Sequence, residues 1–439
     1  MNRFWRSVGM LLCCGLLCLL LPLQARGVEQ ARPLNGYMRV ESEFGFTDYR
    51  KLLDGDTVVP GHYPNHSRLR LEFSDGIGSL YLIFHYEYGI YTVTNNDTGE
   101  SAQVGQNGFL HDYVDLTALF GMAPTSVTVS FDNGSVKLNE ISAYSEGQPP
   151  ESVQIWQTPA EGETDLLLFS AHGDDEQLFF AGILPYYAGE LGYDVQVVYL
   201  TDHRITQKER VHEMLDGLHA VGVTRYPVFG EFFDQRAGNG EIAYQLFSFM
   251  GISKEEVIGF MVEQLRRFKP LVAVTHDVNG EYGHGQHMLC ADMMMNAVQI
   301  SDDPEQYPEL AERYGIWDVP KTYLHLYWEN PIWMDFDQPL ARFNGMTAYQ
   351  VCKYLGFPCH KGQYGDFIWY LNQSDVAAEI ELYNPCYYGL YRSTVGEDVQ
   401  KNDFFENLRT YDQQKTDALC QQVIDEAVRK IQSIKITLP

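Results

Sequence analysis

The chain has 439 residues, 45% of them hydrophobic, 13% aromatic and 21% charged, with a formal net charge of −28. Such a length exceeds what one ordinary core organises and predicts two domains. So acidic a surface repels nucleic-acid backbones and anionic membranes, and neither is expected as a partner.

At the N-terminus, Arg3 and Arg6 precede the apolar run Met10–Leu23, and the small residue Ala25 follows it. Basic, apolar and small-residue zones in that order predict a secretory signal peptide over residues 1–25, and hence a secreted or cell-envelope protein. The apolar run is short for a membrane span, so any membrane attachment is confined to an uncleaved leader. Beyond the leader stand Cys290, Cys352, Cys359, Cys386 and Cys420. An odd number argues against a full disulfide framework, although Cys352 and Cys359 are close enough in sequence to pair. None has the C-x-x-C spacing of a thiolate metal site.

Residues 34–148 predict an all-β sandwich. Leu69, Leu71 and Phe73 alternate with polar residues, as do Val127, Val129 and Phe131; Tyr81–Tyr86 is an apolar, aromatic run. Asp75-Gly76, Asn95-Asn96-Asp97 and Asp132-Asn133-Gly134 supply the turns between such strands. Lys51-Leu52-Leu53-Asp54-Gly55-Asp56 resembles the early turn of discoidin-like sandwiches, which often bind carbohydrate. A purely structural sandwich fits the same residues.

The polar segment Glu146–Glu151 predicts a linker, and the pattern changes after it. Leu166–Phe169, Val195–Leu200, Tyr226–Phe229 and Leu271–Thr275 read as buried strands; Gln177–Leu191, Arg210–Val221, Lys254–Phe268 and His287–Val298 read as helices. Alternation of this kind predicts an α/β layered domain with a mainly parallel sheet over 160–439, its last helix running from Asp417 to Ile434. No G-x-G-x-x-G follows the first strand, so a nucleotide cofactor has no support.

Ligands bind outside the carboxyl ends of parallel strands. Three polar clusters fall there: His172–Glu176, Thr201–Arg204 and His276–His287. A catalytic zinc takes three protein ligands, usually His and carboxylate. His172 and Asp175 are three residues apart and can face one point; a third ligand must come from elsewhere, with His276, His284 and His287 together in one later loop.

The motifs Ala171-His172-Gly173-Asp174-Asp175-Glu176 and Tyr282-Gly283-His284-Gly285-Gln286-His287 together resemble those of the LmbE-like/PIG-L family of zinc-dependent de-N-acetylases, over roughly 163–300. Arg210–Glu213 and Leu218–Val223 are similar to a helix of that family. Gly173 stands where the family usually has Pro, and Gln286 where it commonly has Asp. The resemblance implies a Rossmann-like fold, with His172, Asp175 and His287 as ligands of Zn2+ (or Fe2+). It implies Asp174 as general base, His284 beside the developing oxyanion and Tyr282 at the site mouth. Asp202 and Arg392 are further candidates for substrate contact, with helix capping and loop packing as their ordinary alternatives; His360 has the same two readings as Arg392. Glu176 is expected to hold the loop, and Arg210 with Glu213 to form an ion pair. His203, His212 and His276 have no matched role. The expected activity is removal of the acetyl group from an N-acetylglucosamine-type sugar. A metal-dependent esterase, or a glycan-binding protein with an inactive enzyme domain, is the alternative.

Overall fold

The structure is a computed structural model that describes residues 29–106, 109–159, 161–202 and 208–433; the expected leader and His203 lie outside them. The chain divides into two compact units, 1–155 and 156–439. Among the described residues no helix is long and apolar enough to cross a membrane.

The first unit is built from antiparallel strands: β1 (Arg39–Phe44), β2 (Gly61–Tyr63), β3 (Ser67–Glu72), β4 (Ser79–Phe84), β5 (Tyr91–Asn95), β6 (Glu100–Val104), β7 (His111–Asp115), β8 (Ser126–Phe131) and β9 (Val136–Tyr144). They form a five-stranded sheet, β1-β3-β8-β5-β6, and a four-stranded one, β2-β9-β4-β7. The alternating residues read from the sequence point inward. Leu69, Leu71, Val93, Val127 and Val129 of one sheet share a core with Leu80, Leu82, Leu138 and Ile141 of the other.

The second unit holds β10 (Leu166–Ser170), β11 (Val195–Thr201), β12 (Val228–Phe232), β13 (Val272–Thr275), β14 (Lys321–His325), β15 (Pro331–Trp333) and β16 (Tyr387–Ser393), in the spatial order β12-β11-β10-β13-β14-β16-β15. The first five run parallel, and β16 and β15 pair antiparallel at one side. β10 and β11 are buried along their whole length, which is why they read as unbroken apolar runs rather than as alternation. The helix Lys254–Phe268 starts on a reciprocal cap, with Ser253 and Glu256 each accepting the other's backbone N–H. Its Val257, Met261, Val262, Leu265 and Phe268 enter the core.

Two expectations needed correction, and one pairing left open by the sequence is absent. Gln177–Leu191 is not one helix: turns lead into a π-helical segment at Pro185–Glu190, because Gly182 turns with φ 111° and Pro185 offers no N–H. The last helix begins at Tyr411, not Asp417; Thr410 Oγ1 accepts the N–H of Gln413 at 3.2 Å and caps it. All five described cysteines are free, so Cys352 and Cys359 do not pair.

Candidate active site

Where β10 ends, the chain reverses at once. Asp175 Oδ2 accepts the backbone N–H of His172 at 2.9 Å, and Ser170 Oγ donates to the His172 carbonyl at 2.8 Å. Gly173 leaves room here for Met214 of the helix Lys208–Ala220: a Cβ would lie 2.2 Å from its Cε, so a larger residue needs that side chain to move. The reversal buries His172, Asp174, Asp175 and Glu176 at the carboxyl end of β10, a central strand of the sheet.

The second half of the site follows β13. A 3-10 turn at Glu281–Gly283 delivers His284 to the N-cap of the helix Gly285–Ala297, so His287 falls in its first turn. Beneath them lies Glu281, fully buried. Its Oε2 accepts from His287 Nδ1 at 2.7 Å and His276 Nδ1 at 2.8 Å, and its Oε1 faces His325 Nδ1 at 2.6 Å. Burial would raise this carboxyl, but His276 and the hydrogen bonds from all three imidazoles hold it well below the usual range.

These bonds decide where the lone pairs point. With Nδ1–H of His287 donated to Glu281, its Nε2 is the atom turned toward Asp175; the carboxylates on both sides outweigh burial and raise this imidazole to about 10, so a metal there would displace the Nε2 proton. His172 Nε2 donates to Gln286 Oε1 at 2.9 Å, which leaves His172 Nδ1 bare. These two nitrogens, His287 Nε2 and His172 Nδ1, face each other at 3.2 Å. Asp175 closes the triangle, with Oδ2 3.2 Å from His172 Nδ1 and Oδ1 3.4 Å from His287 Nε2. Asp175 Oδ1 is buried and has no hydrogen-bond partner. Ligand atoms on a tetrahedral zinc, at bonds of about 2.0–2.1 Å, lie about 3.3 Å apart. The two nitrogens lie at that spacing from each other, and each lies at it from a different oxygen of Asp175, so this donor set suits such an ion. Among the described residues, the groups close enough to share one ion are His172–His284–His287 and Asp175–His276–His287, so His284 and His276 are further possible donors.

Asp174 stands beside this triangle. Burial and the neighbouring Asp175 push its carboxyl up to about 6, against the pull of Arg210, whose guanidinium lies 3.4 Å from Asp174 Oδ2. Arg210 also donates to the Gly173 carbonyl and pairs with Glu213 at 3.1 Å. The His284 ring is 4.8 Å from those of both His172 and His287. Burial and those two imidazoles lower it to about 3, so it is neutral at physiological pH, with Nδ1 unpartnered. Tyr282 is 39% exposed, at left-handed φ 45°, and its ring packs on His284, His287, Phe179 and Phe367. A non-glycine residue held there stores strain, and such residues cluster at functional sites.

The structure thus brings together His172, Asp174, Asp175, Tyr282, His284 and His287. Asp202 is half-buried at the carboxyl end of β11, its N–H on the Phe232 carbonyl. Arg392 does not join them: it pairs in register with Thr322 near the start of β14, the opposite end from His325, and binds Asp318 at 2.7 Å and the Val319 carbonyl at 3.2 Å. Two participants went unrecognised in the sequence, Glu281 and His325; His276, named there with the later histidine loop but given no matched role, pairs with Glu281. His325 closes β14, whose Lys321 and Thr322 keep it from reading as an apolar run. Glu281 lies inside the histidine loop and could have been read as its acidic partner.

Residues 167–298 match the family model described as PIG-L, GlcNAc-PI de-N-acetylase. The 1D-myo-inositol 2-acetamido-2-deoxy-alpha-D-glucopyranoside deacetylase of Streptomyces avermitilis is 29% identical over 178 residues, which are 36% of this chain and 60% of that protein. The corresponding deacetylase 2 of Saccharopolyspora erythraea is 29% identical over 177 residues, 36% of this chain and 63% of that one. The chain therefore spans somewhat over half the length of these curated relatives. Among solved structures, the N,N'-diacetylchitobiose deacetylase of Pyrococcus horikoshii aligns with a TM-score of 0.35 and 14% identity, over 51% of this chain and 82% of that one. With both halves of the histidine–carboxylate cluster inside the matched segment, residues 167–298 form a domain of the PIG-L family.

Proposed function

We propose that this protein is a metal-dependent de-N-acetylase of an N-acetylated amino sugar, the acetamide being cleaved to acetate and a free amine. The observation that carries the reading is the triangle of His172 Nδ1, His287 Nε2 and Asp175 beside a carboxylate, Asp174, that takes no part in it. The relatives that share the domain are deacetylases of a 2-acetamido sugar, which supports the sugar as substrate class. The partly exposed ring of Tyr282, packed on half-buried Phe367 beside the cluster, gives a sugar ring a surface to stack on.

His172, Asp175 and His287 would hold the ion, with zinc the natural choice for two imidazoles and one carboxylate. A zinc ion there supplies a Lewis acid for water and for the amide carbonyl. Asp174 accepts the proton of the attacking water on a carboxylate oxygen and returns it to the departing amine nitrogen. A carboxyl raised to about 6 is suited to both transfers near neutral pH. His284, as a neutral imidazole, donates one N–H toward the oxygen on which negative charge develops. Arg210 holds the Gly173 carbonyl and Asp174 in place. The leader-like N-terminus supports an activity outside the cytoplasm.

The test is acetate release from N-acetylglucosamine oligosaccharides by the zinc-loaded protein and its Asp174→Asn variant. The variant should retain metal and lose about 10²–10⁴-fold in kcat. Cleavage of acetyl esters with no acetate from any N-acetyl sugar would overturn the amide reading.

A further inference from the structure

The chain beyond the family match reaches the back of the catalytic loop. Cys352–Gly356 forms a π-helical turn and Phe357–Cys359 a 3-10 turn, both packed on the helix Lys208–Ala220 and followed directly by His360. Two glycines permit this approach. A Cβ on Gly217 would lie 2.9 Å from His360 Nε2, and one on Gly356 would lie 2.0 Å from Gln177 Oε1.

His360 is fully buried, as is Glu176. His360 Nε2 lies 3.3 Å from Glu176 Oε1, while both carboxylate oxygens and both ring nitrogens lack a well-formed hydrogen bond. A buried carboxylate without a compensating partner is strongly unfavourable, and the groups that face Glu176 are this imidazole and the buried Tyr199 hydroxyl. Glu176 directly follows Asp174 and Asp175 in the turn. A second tie runs from the same segment: Gly362 N–H donates to Glu213 Oε1 at 2.9 Å, and Glu213 in turn holds Arg210 at 3.1 Å, the residue that braces Asp174.

We propose that His360 is a positioning residue: through Glu176 it fixes the turn carrying Asp174 and Asp175, so the C-terminal extension completes the site from behind. The inference rests on the deacetylase reading only for its catalytic consequence, since the hold on Asp175 is read out by metal affinity alone. His360→Ala, His360→Gln and Glu176→Gln are compared with the full-length wild type. Zinc affinity is measured by competition with a chelator, and kcat and KM from acetate release. His360→Ala is expected to weaken zinc binding and lower kcat, each about tenfold, with KM within about twofold; His360→Gln, which keeps an N–H donor, restores most of both. Wild-type affinity and kcat in His360→Ala would overturn the proposal. So would equal loss in His360→Ala and His360→Gln, or failure of all three variants to fold, since either assigns the pair to packing. Weakened and rescued zinc binding in a protein that releases no acetate even as wild type would leave the positioning role standing and remove the deacetylase reading.

Discussion

Two buried glutamates, one in each unit, have opposite fates. Glu281 lies under the histidine cluster and is held well below the usual carboxylate range, because three imidazoles turn their Nδ1 atoms toward it. Glu140 on β9 of the sandwich is 3% exposed and is pushed up to about 8. Burial is the main cause; Asp54 and Asp56 raise it further, and the Gly55 N–H, at 3.1 Å, offsets only part. Burial acts in the same direction on both. Donors decide the sign of the outcome, and a carboxylate that stays charged in a core has been given them by other parts of the chain.

The contrast is most easily broken at Glu281. Glu281→Gln keeps the shape but removes the charge that sets the tautomer of His287, and zinc affinity should fall about 10–100-fold in chelator competition. Unchanged affinity would show that His287 needs no carboxylate behind it.

Glu140 gives a smaller effect with a defined sign. Its folded value of about 8 exceeds its ordinary 4.5, so the stability it contributes is complete below about 4.5 and lost as pH rises through about 8. The melting transition of the sandwich should drop by about 5 °C between pH 6 and pH 9, and Glu140→Gln should flatten that drop. A wild-type transition independent of pH in this window would show that Glu140 is not raised.

The smallest effect is expected where the same charge chemistry meets solvent. Asp318 and Arg392 pair at 2.7 Å with side chains 45% and 21% exposed. Arg392→Ala should change stability by less than about 1 kcal/mol and kcat/KM by less than about twofold. A large loss of kcat/KM would return Arg392 to the list of substrate contacts.

Much of the site was legible because its chemistry is local. His172 and Asp175 share one turn, as do His284 and His287, and both motifs stand where apolar strands stop. Glu281 was legible in principle, being inside the second motif, but its purpose was not: two of its three partners flank it in sequence, and the third, His325, belongs to another strand. The misplacement of Arg392 has the same origin. A strand pattern shows which residues are buried, not which end of a neighbouring strand they meet.

The sequence by itself determined the alternating strands of the sandwich, the apolar strands of the second unit, and the pair of motifs carrying His172, Asp174, Asp175, His284 and His287. These depend on periodicity and on short spacing, both written along the chain. The tertiary structure alone decided which nitrogen of each ring faces the cluster, because that is set by the partner on the opposite side of the ring. It alone joined Glu281 to His325, and His360 to Glu176 across more than 180 residues. Burying a charge is tolerable only when a compensating group arrives from elsewhere, and which group arrives is settled by packing.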